Sequence, residues 1–275
     1  MKSTRSLALL VATSALFAAS ASLHASDADD RIESSAKQSY VFKTYLKEDT
    51  IKTESKDGVV TLTGTVSAEV HKSLAENTVE SLPGVKSVNN QLKIKGESPA
   101  EHSDGWIGVK VKSALLFHRN VRATNTDVNV TDGIVTLSGE ASSLAQKELT
   151  AEYAKDVEGV KEVKNQMTIA KNPTKPDDMI ADKMDDASIT AQVKTSLMSH
   201  RSTSALKTKF QSADGVVTVS GTATNAAKKS LVTKLVTDIN GVISVVNNMT
   251  VEAAVTKTST PPRPVQNLRV VTRQN

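Results

Sequence analysis

The chain of 275 residues has no cysteine. That excludes disulfides, thiolate nucleophiles, thiolate-bound zinc and iron–sulfur clusters, and a lipid carried on an N-terminal cysteine. Aromatic residues are scarce, at 3%, with a single tryptophan. Nucleic-acid binders need stacking platforms and a basic face, and the net charge of +4 does not supply one. Lys2 and Arg5 lie near the start, and Lys257, Arg263, Arg269 and Arg273 near the end, so six of the 34 basic residues fall outside residues 26–252. The body is near neutral against its 30 acids, and nucleic acid is not an expected partner. Long apolar runs are also missing beyond the first residues, where Leu7–Ala19 is uncharged but shorter than the ~20 residues a bilayer span needs. Behind Lys2 and Arg5 this run reads as a secretory signal over residues 1–25. Ala19-Ser20-Ala21 fits the small-residue cleavage rule, and cleavage is expected between residues 21 and 26. The mature protein is expected in the periplasm, with secretion to the medium as the alternative.

What is present is a repeat. Asp57-Gly58-Val59-Val60-Thr61-Leu62-Thr63-Gly64 recurs as Asp132-Gly133-Ile134-Val135-Thr136-Leu137-Ser138-Gly139 and as Asp214-Gly215-Val216-Val217-Thr218-Val219-Ser220-Gly221. At one fixed distance beyond each copy follow Gly84-Val85-Lys86-Ser87-Val88-Asn89-Asn90, Gly159-Val160-Lys161-Glu162-Val163-Lys164-Asn165 and Gly241-Val242-Ile243-Ser244-Val245-Val246-Asn247. Asp-Gly between β-prone segments predicts a two-residue hairpin, because both central turn positions need positive φ. A helix is expected next, capped by Ser67, Ser142 or Thr224. One of its faces would carry Leu74, Thr78 and Leu82, then Leu149, Tyr153 and Val157, then Leu231, Leu235 and Ile239. Gly84, Gly159 and Gly241 would end these helices in the left-handed conformation, and a third strand would follow. An earlier helix is marked by Ile107, Val111 and Leu115 and by Ile189, Val193 and Leu197, with Asp104 and Asp186 as N-caps. In the first copy the signal is weaker, with a helix placed around Phe42–Leu46.

The expected fold class is therefore α+β, with three tandem α-β-β-α-β two-layer domains, each a three-stranded mixed sheet packed on two helices. Their bounds are 26–96, 104–171 and 186–252, joined by linkers 97–103 and 172–185 and followed by a basic tail, 253–275, that is expected to be disordered. Free sheet faces or edges would pack the units together.

The turn, the second glycine motif and their helices resemble the BON domain, in three copies over about residues 30–252. The arrangement is similar to the OsmY-type periplasmic, osmotic-stress-associated members, which more often carry two copies. The resemblance implies a non-catalytic envelope protein that binds phospholipid surfaces or other envelope components.

Motifs for chemistry are few. No Gly-x-Ser-x-Gly elbow, phosphate-cradling glycine loop or His-Glu-x-x-His occurs, and no cofactor is expected. The acidic linker residues Asp177, Asp178, Asp182, Asp185 and Asp186 lack the order of a calcium loop, so no metal is expected. Asn90, Asn165 and Asn247 recur on the buried side of the third strand, where an amide satisfies local backbone groups. His118-Arg119 and His200-Arg201 form a matched pair of dipeptides. They read either as an anion grip or pH-sensitive contact, or as cations at a helix C-terminus. His71 and His102 have no counterparts and read as surface residues.

The best candidate surface lies in the second copy. Lys110, Lys112, Arg119 and Arg122 cluster with Trp106, Leu116 and Phe117, and no acid lies between Asp104 and Asp127. Trp106 and Phe117 are eleven positions apart, which returns them to nearly one helical face, away from the Ile107–Val111–Leu115 stripe. An exposed aromatic pair among cations suits an anionic phospholipid surface. The competing reading packs Trp106 against the linker or a neighbouring unit. The third copy has Met198 and Ser199 in place of Leu116 and Phe117, and is expected to bind lipid less well. Periplasmic or outer-membrane proteins are the alternative partners, held by strand addition at sheet edges.

Overall fold

The computed structural model describes residues 27–121, 123–171, 184–204 and 206–252. The leader, Asp177, Asp178 and Asp182 of the acidic linker, Arg122 and the basic tail lie outside the described residues.

Three α+β units follow one another. Unit 1 comprises α1 (27–38), α2 (Tyr40–Thr44), β1 (Thr50–Lys56), β2 (Val59–Val66), α3 (Glu69–Glu80), β3 (Ser87–Asn90) and β4 (Lys93–Ile94). Unit 2 comprises α4 (Asp104–Leu116), a 3-10 turn (Ala123–Asn125), β5 (Thr126–Thr131), β6 (Ile134–Ala141), α5 (Leu144–Lys155), β7 (Glu162–Asn165) and β8 (Thr168–Ile169). Unit 3 comprises α6 (Asp186–Ser199), β9 (Thr208–Ala213), β10 (Val216–Ala223), α7 (Ala226–Thr237), β11 (Ser244–Asn247) and β12 (Thr250–Val251). In each, the first two strands pair antiparallel and the third runs parallel to the second, giving the mixed sheet.

The hairpins form where the Asp-Gly pairs stand. Asp57 and Gly58 have φ of 53° and 79°, and the other two pairs repeat this conformation, as a tight hairpin with matched strand twist requires. The glycine that closes each motif serves close approach. A Cβ on Gly64, Gly139 or Gly221 would lie 2.0 to 2.1 Å from the carbonyl oxygen of Thr50, Asn125 or Lys207.

The third strand is interrupted, and the recurring asparagine explains how. Asn90 Oδ1 accepts from Leu92 N at 3.1 Å, while its amide donates to Lys72 O of α3 and to Glu76 Oε2. Asn165 and Asn247 make the matching bonds to Met167 N and Lys147 O, and to Met249 N and Lys229 O. The side chain thus satisfies the break between the two short strands and fastens it to the helix beneath.

Several helix ends differ from the sequence reading by a residue or more. α5 and α7 are capped by Ser143 and Asn225, one position beyond Ser142 and Thr224, and Ala68 at the start of α3 makes no side-chain cap bond. The C-caps are Ser81, Asp156 and Asp238, so Gly84, Gly159 and Gly241, all of positive φ, lie in the turn that follows. Asp104 and Asp186 are not caps either, since Ser103 and Asp185 hold that place. One residue further in, each carboxylate reaches the hairpin. Asp104 accepts from Asp132 N and Gly133 N, and Asp186 from Asp214 N, Gly215 N and the Ser212 hydroxyl. Asp29 does the same to Asp57 N, Gly58 N and Ser55 Oγ. That contact corrects the placement of the first helix of unit 1. It is α1, with Ile32 and Ala36 buried, and α2 over Phe42 is an addition peculiar to this unit.

The units pack by helices, not by sheet faces or edges. α6 is buried on nearly every side, from Ala187 through Val193 to Leu197, because units 1 and 2 both close on it. The small side chains Ala191 and Thr195 let α3 lie along it, while Ser188 takes the Val41 amide of α2 and Ser196 faces His118 of unit 2. Units 1 and 3 share one apolar core, to which Asp185 Oδ2 adds a bond from Tyr40 N, Ser188 Oγ one from Val41 N, and Thr195 Oγ1 one from Asn77. Unit 2 keeps its own core around Ile107, Val111, Val135 and Leu137, and its Phe117 belongs to the shared one.

Candidate functional site

Helix α4 carries two stripes. Ile107, Val111, Ala114 and Leu115 face the core of unit 2 and are buried. The second stripe runs through Trp106, Val109, Lys110, Ser113, Leu116 and Phe117, spaced by three or four residues, and faces units 1 and 3. At its C-terminal end the neighbours close over it. Phe117 is fully buried, its ring edge-on to Tyr45 of unit 1 with centroids 5.4 Å apart. Leu116 is half-buried against the same core. The expectation of an exposed Trp106–Phe117 pair is therefore corrected, because the helical face was right but half of it is roofed by other units.

At the N-terminal end the stripe is open. Trp106 is half-buried, edge-on to His102 at 5.1 Å, and Lys110 Nζ stands 5.0 Å from the indole centroid, a cation–π distance. Beside it lies a cleft of about 480 Å³ at the junction of all three units, lined by Val70 of α3, Pro99 of the linker, Val109 and Trp106 of α4, and Met198 of α6. Val109 is 38% and Met198 59% exposed. Met198, which the sequence assigned to a weaker third copy, thus belongs to the same surface as Trp106. Lys110 and Lys95 line the cleft together with Glu69, Glu97 and Glu101, so its charge is mixed. Lys112 is exposed on the neighbouring face of α4.

The remaining predicted residues are used elsewhere. The Arg119 guanidinium donates to Ile239 O at 2.7 Å and to Val242 O, beyond the C-terminus of α7. The reading of the His-Arg dipeptides as helix-end cations fits Arg201, whose guanidinium donates to Lys155 O at 3.4 Å at the end of α5, a helix of the neighbouring unit, whereas Arg119 serves the loop after α7. His118 and His200 are both buried, at the contact between units 2 and 3.

One other cluster has the residue types of hydrolytic chemistry. His71 Nδ1 lies 2.5 Å from Asp49 Oδ2 and 3.0 Å from Ser67 Oγ. His71 is thus tied to its neighbours and is only partly exposed. The serine and the carboxylate share one ring nitrogen, whereas a nucleophile relay needs them on opposite nitrogens. The cluster instead fixes the loop before β1 to the start of α3, where Asp49 Oδ1 also accepts from Ser67 N.

Comparison with family models agrees with this architecture. The BON domain model matches residues 28–96, 103–171 and 185–253, and the chain belongs to the BON-domain family, as three tandem copies. Osmotically-inducible protein Y of Escherichia coli (strain K12) is 31% identical over 146 residues, covering 53% of this chain and 71% of that protein. The 21 kDa hemolysin of Actinobacillus pleuropneumoniae is 33% identical over 122 residues, covering 43% of this chain and 62% of that one. Among solved structures, the C-terminal domain of CdsD, the structural protein of the type III secretion system of Chlamydia trachomatis, aligns at 18% identity over 78% of this chain and 96% of that one, with a TM-score of 0.21.

Proposed function

We propose that the protein is a non-catalytic, periplasmic envelope protein that docks on anionic phospholipid through the open end of the α4 stripe and contributes to osmotic and envelope-stress tolerance. The observation that carries this reading is the patch itself: Trp106 with Lys110 over its ring, next to the exposed side chains of Val109 and Met198. Indole and thioether suit the depth of the headgroups, and Lys110 and Lys112 meet anionic lipid. Because Glu69, Glu97 and Glu101 share the cleft, the apolar side chains supply the anchor and the lysines the preference for charge. The osmotic role is supported by the name of the Escherichia coli relative, and membrane contact by that of the hemolysin.

Flotation of the mature chain with zwitterionic or anionic vesicles at low and high salt tests the reading. Anionic vesicles should carry the protein, salt should weaken this, and Trp106→Ala or Met198→Asp should abolish it. Absence of flotation under every condition refutes it.

A second reading, a scaffold or holding role by strand addition, is favoured by one observation in unit 3. Directly before the outer strand β3 or β7, units 1 and 2 have Lys86 and Lys161, whose ammonium groups bond the turn carbonyls of Asp57 and Asp132. Unit 3 has Ile243 there, 65% exposed, followed by Val246 at 45%. Charged residues normally guard such an edge. Suppression of aggregation of an unfolded substrate that is lost in Ile243→Lys and kept in Trp106→Ala would select this role.

A further inference from the structure

Units 2 and 3 meet through a reciprocal exchange. The end of α4 lies on the end of α7: Arg119 N donates to Asp238 O at 2.8 Å, Asn240 N to Phe117 O at 2.9 Å, and the Asn120 amide to Asp238 Oδ1. The end of α6 lies likewise on the end of α5, with Arg201 N donating to Asp156 O at 2.7 Å and Ser202 N and Oγ to Asp156 Oδ1. An approximate twofold axis relates the halves and passes between His118 and His200, both buried, with relative exposures of 1% and 0%. Their Nε2 atoms are 3.1 Å apart and the ring centroids 5.3 Å. That difference is nearly the two ring radii, so the nitrogens face each other head-on.

The other nitrogen of each ring faces a carboxylate. His118 Nδ1 is 3.2 Å from Asp238 Oδ2 and His200 Nδ1 3.5 Å from Asp156 Oδ2. Neither contact is aligned well enough to be a formed hydrogen bond, yet each favours a proton on Nδ1. Two neutral rings of that tautomer would oppose lone pairs across the axis. A neutral pair resolves the conflict when one ring carries its single proton on Nε2 and donates it to the facing Nε2, and the Ser196 hydroxyl, 3.1 Å from His118 Nε2, assists it. A second axial proton would set two N–H groups of like charge head-on at 3.1 Å in a site closed to water.

We propose that His118 and His200 form an acid-opened clasp: docked units 2 and 3 hold at most one proton between the facing Nε2 atoms, and protonation of both imidazoles parts the units. The groups facing the pair are consistent with this from every side. α5 contributes Asp156 and Tyr153, whose ring is 4.1 Å from that of His118 and whose hydroxyl donates to Asp238 at 2.6 Å. Burial, then the Asp238 carboxylate, holds that phenol above its ordinary range, so it stays neutral. α7 contributes Asp238, and Arg119 and Arg201 direct their guanidiniums at backbone carbonyls. Burial, the largest influence, depresses the pKa of His118 below the ordinary 6.5; Asp238 opposes this and His200 adds to it. The docked state therefore binds fewer protons than the parted one. Docking is complete above the ordinary imidazole pKa and is lost as pH falls through and below it. Parting removes the unit 3 side of the cover over Phe117, whose other neighbour is Tyr45 of unit 1.

The chain has no cysteine, so spin labels on cysteines placed at the exposed Lys164 and Lys209 report the distance between the two units directly. At about pH 8 one narrow distance distribution is expected, and by about pH 5 most molecules should have left it. The double variant His118→Gln and His200→Gln should keep that distribution at both. A wild-type distance unchanged over this range, or the same transition in the double variant, overturns the proposal. If the double variant is already parted at high pH, histidine ring resonances of the unmutated pair decide. A midpoint shared with the distance change supports the clasp, and midpoints separated from it by more than about one unit refute it.

Discussion

At the scale of single residues, three aspartates hold the hairpin turns, a task that replaces the capping role read from the sequence for Asp104 and Asp186. Asp29, Asp104 and Asp186 each stand 29 residues before a turn glycine and bind its amide. A carboxylate accepting backbone N–H groups is held ionised. The Ser55 hydroxyl, then Gly58 N, lower the pKa of Asp29. For Asp186, burial raises it, but Ser212 and the Gly215 and Asp214 amides outweigh that and the net shift is downward. Both are depressed in the folded state, so their stabilisation is present above the ordinary carboxylate pKa and is lost as pH falls below about 4. Thermal melts should show a falling Tm in that window, and Asp29→Asn with Asp186→Asn should flatten it. At neutral pH, Asp186→Ala should cost about 1–3 kcal/mol in denaturant unfolding, since it leaves two turn amides and a hydroxyl without their acceptor. A double variant no less stable than the native chain would contradict this role. The constant spacing was legible in the sequence, and it was the signal that would have placed the first helix of unit 1. Apolar periodicity could not, because one of the helix's two core positions is Ala36 and the residues around it are small or polar.

At the scale of elements, the hairpins, the second helix and the parallel third strand could be read because their determinants are local: a turn of positive φ, a glycine under a carbonyl, an asparagine at a strand break. The two-sided burial of α6 could not be read that way. Its hydrophobic stripe, Ile189, Val193 and Leu197, matches that of α4, and only the smallness of Ser188, Ala191, Thr195 and Ser196 on the other faces distinguishes it. Small polar residues look solvent-facing in a sequence, yet here they permit close helix contact and bond across it, as Asn77 does to Thr195. Ala191→Leu should therefore destabilise the chain by about 1–3 kcal/mol through overpacking. The comparable change on an exposed face, Lys112→Leu, should have little effect. Equal unfolding midpoints for the two variants would contradict the central place of α6. Gly139→Ala should be worse than either, because its Cβ would meet Asn125 O at 2.1 Å.

At the scale of the whole molecule, the three units form one body around α6, and the candidate surface exists only in that assembly. The sequence separated the Trp106 face of α4 from its core stripe by periodicity, and the structure keeps Trp106 and Lys110 together there, with Lys112 on the neighbouring face. It placed Phe117 and Arg119 on the same surface, because nothing local to α4 announces that units 1 and 3 cover its far end. Phe117 instead ties unit 2 to the shared core, and Phe117→Ala should cost about 3–5 kcal/mol and loosen unit 2 without unfolding the Val135–Leu137 core. Proteolysis within the linker after Lys171, faster in the variant than in the native chain, would report that loosening.

The central claim, that the open end of the α4 stripe meets anionic lipid, has a built-in reporter, because Trp106 is the only tryptophan of the chain. Its emission should be recorded with anionic vesicles at low and high salt, with and without brominated acyl chains. The account predicts a blue shift and quenching that are strongest at low salt and reversed as salt is raised. Emission unchanged by anionic vesicles at low salt would contradict it.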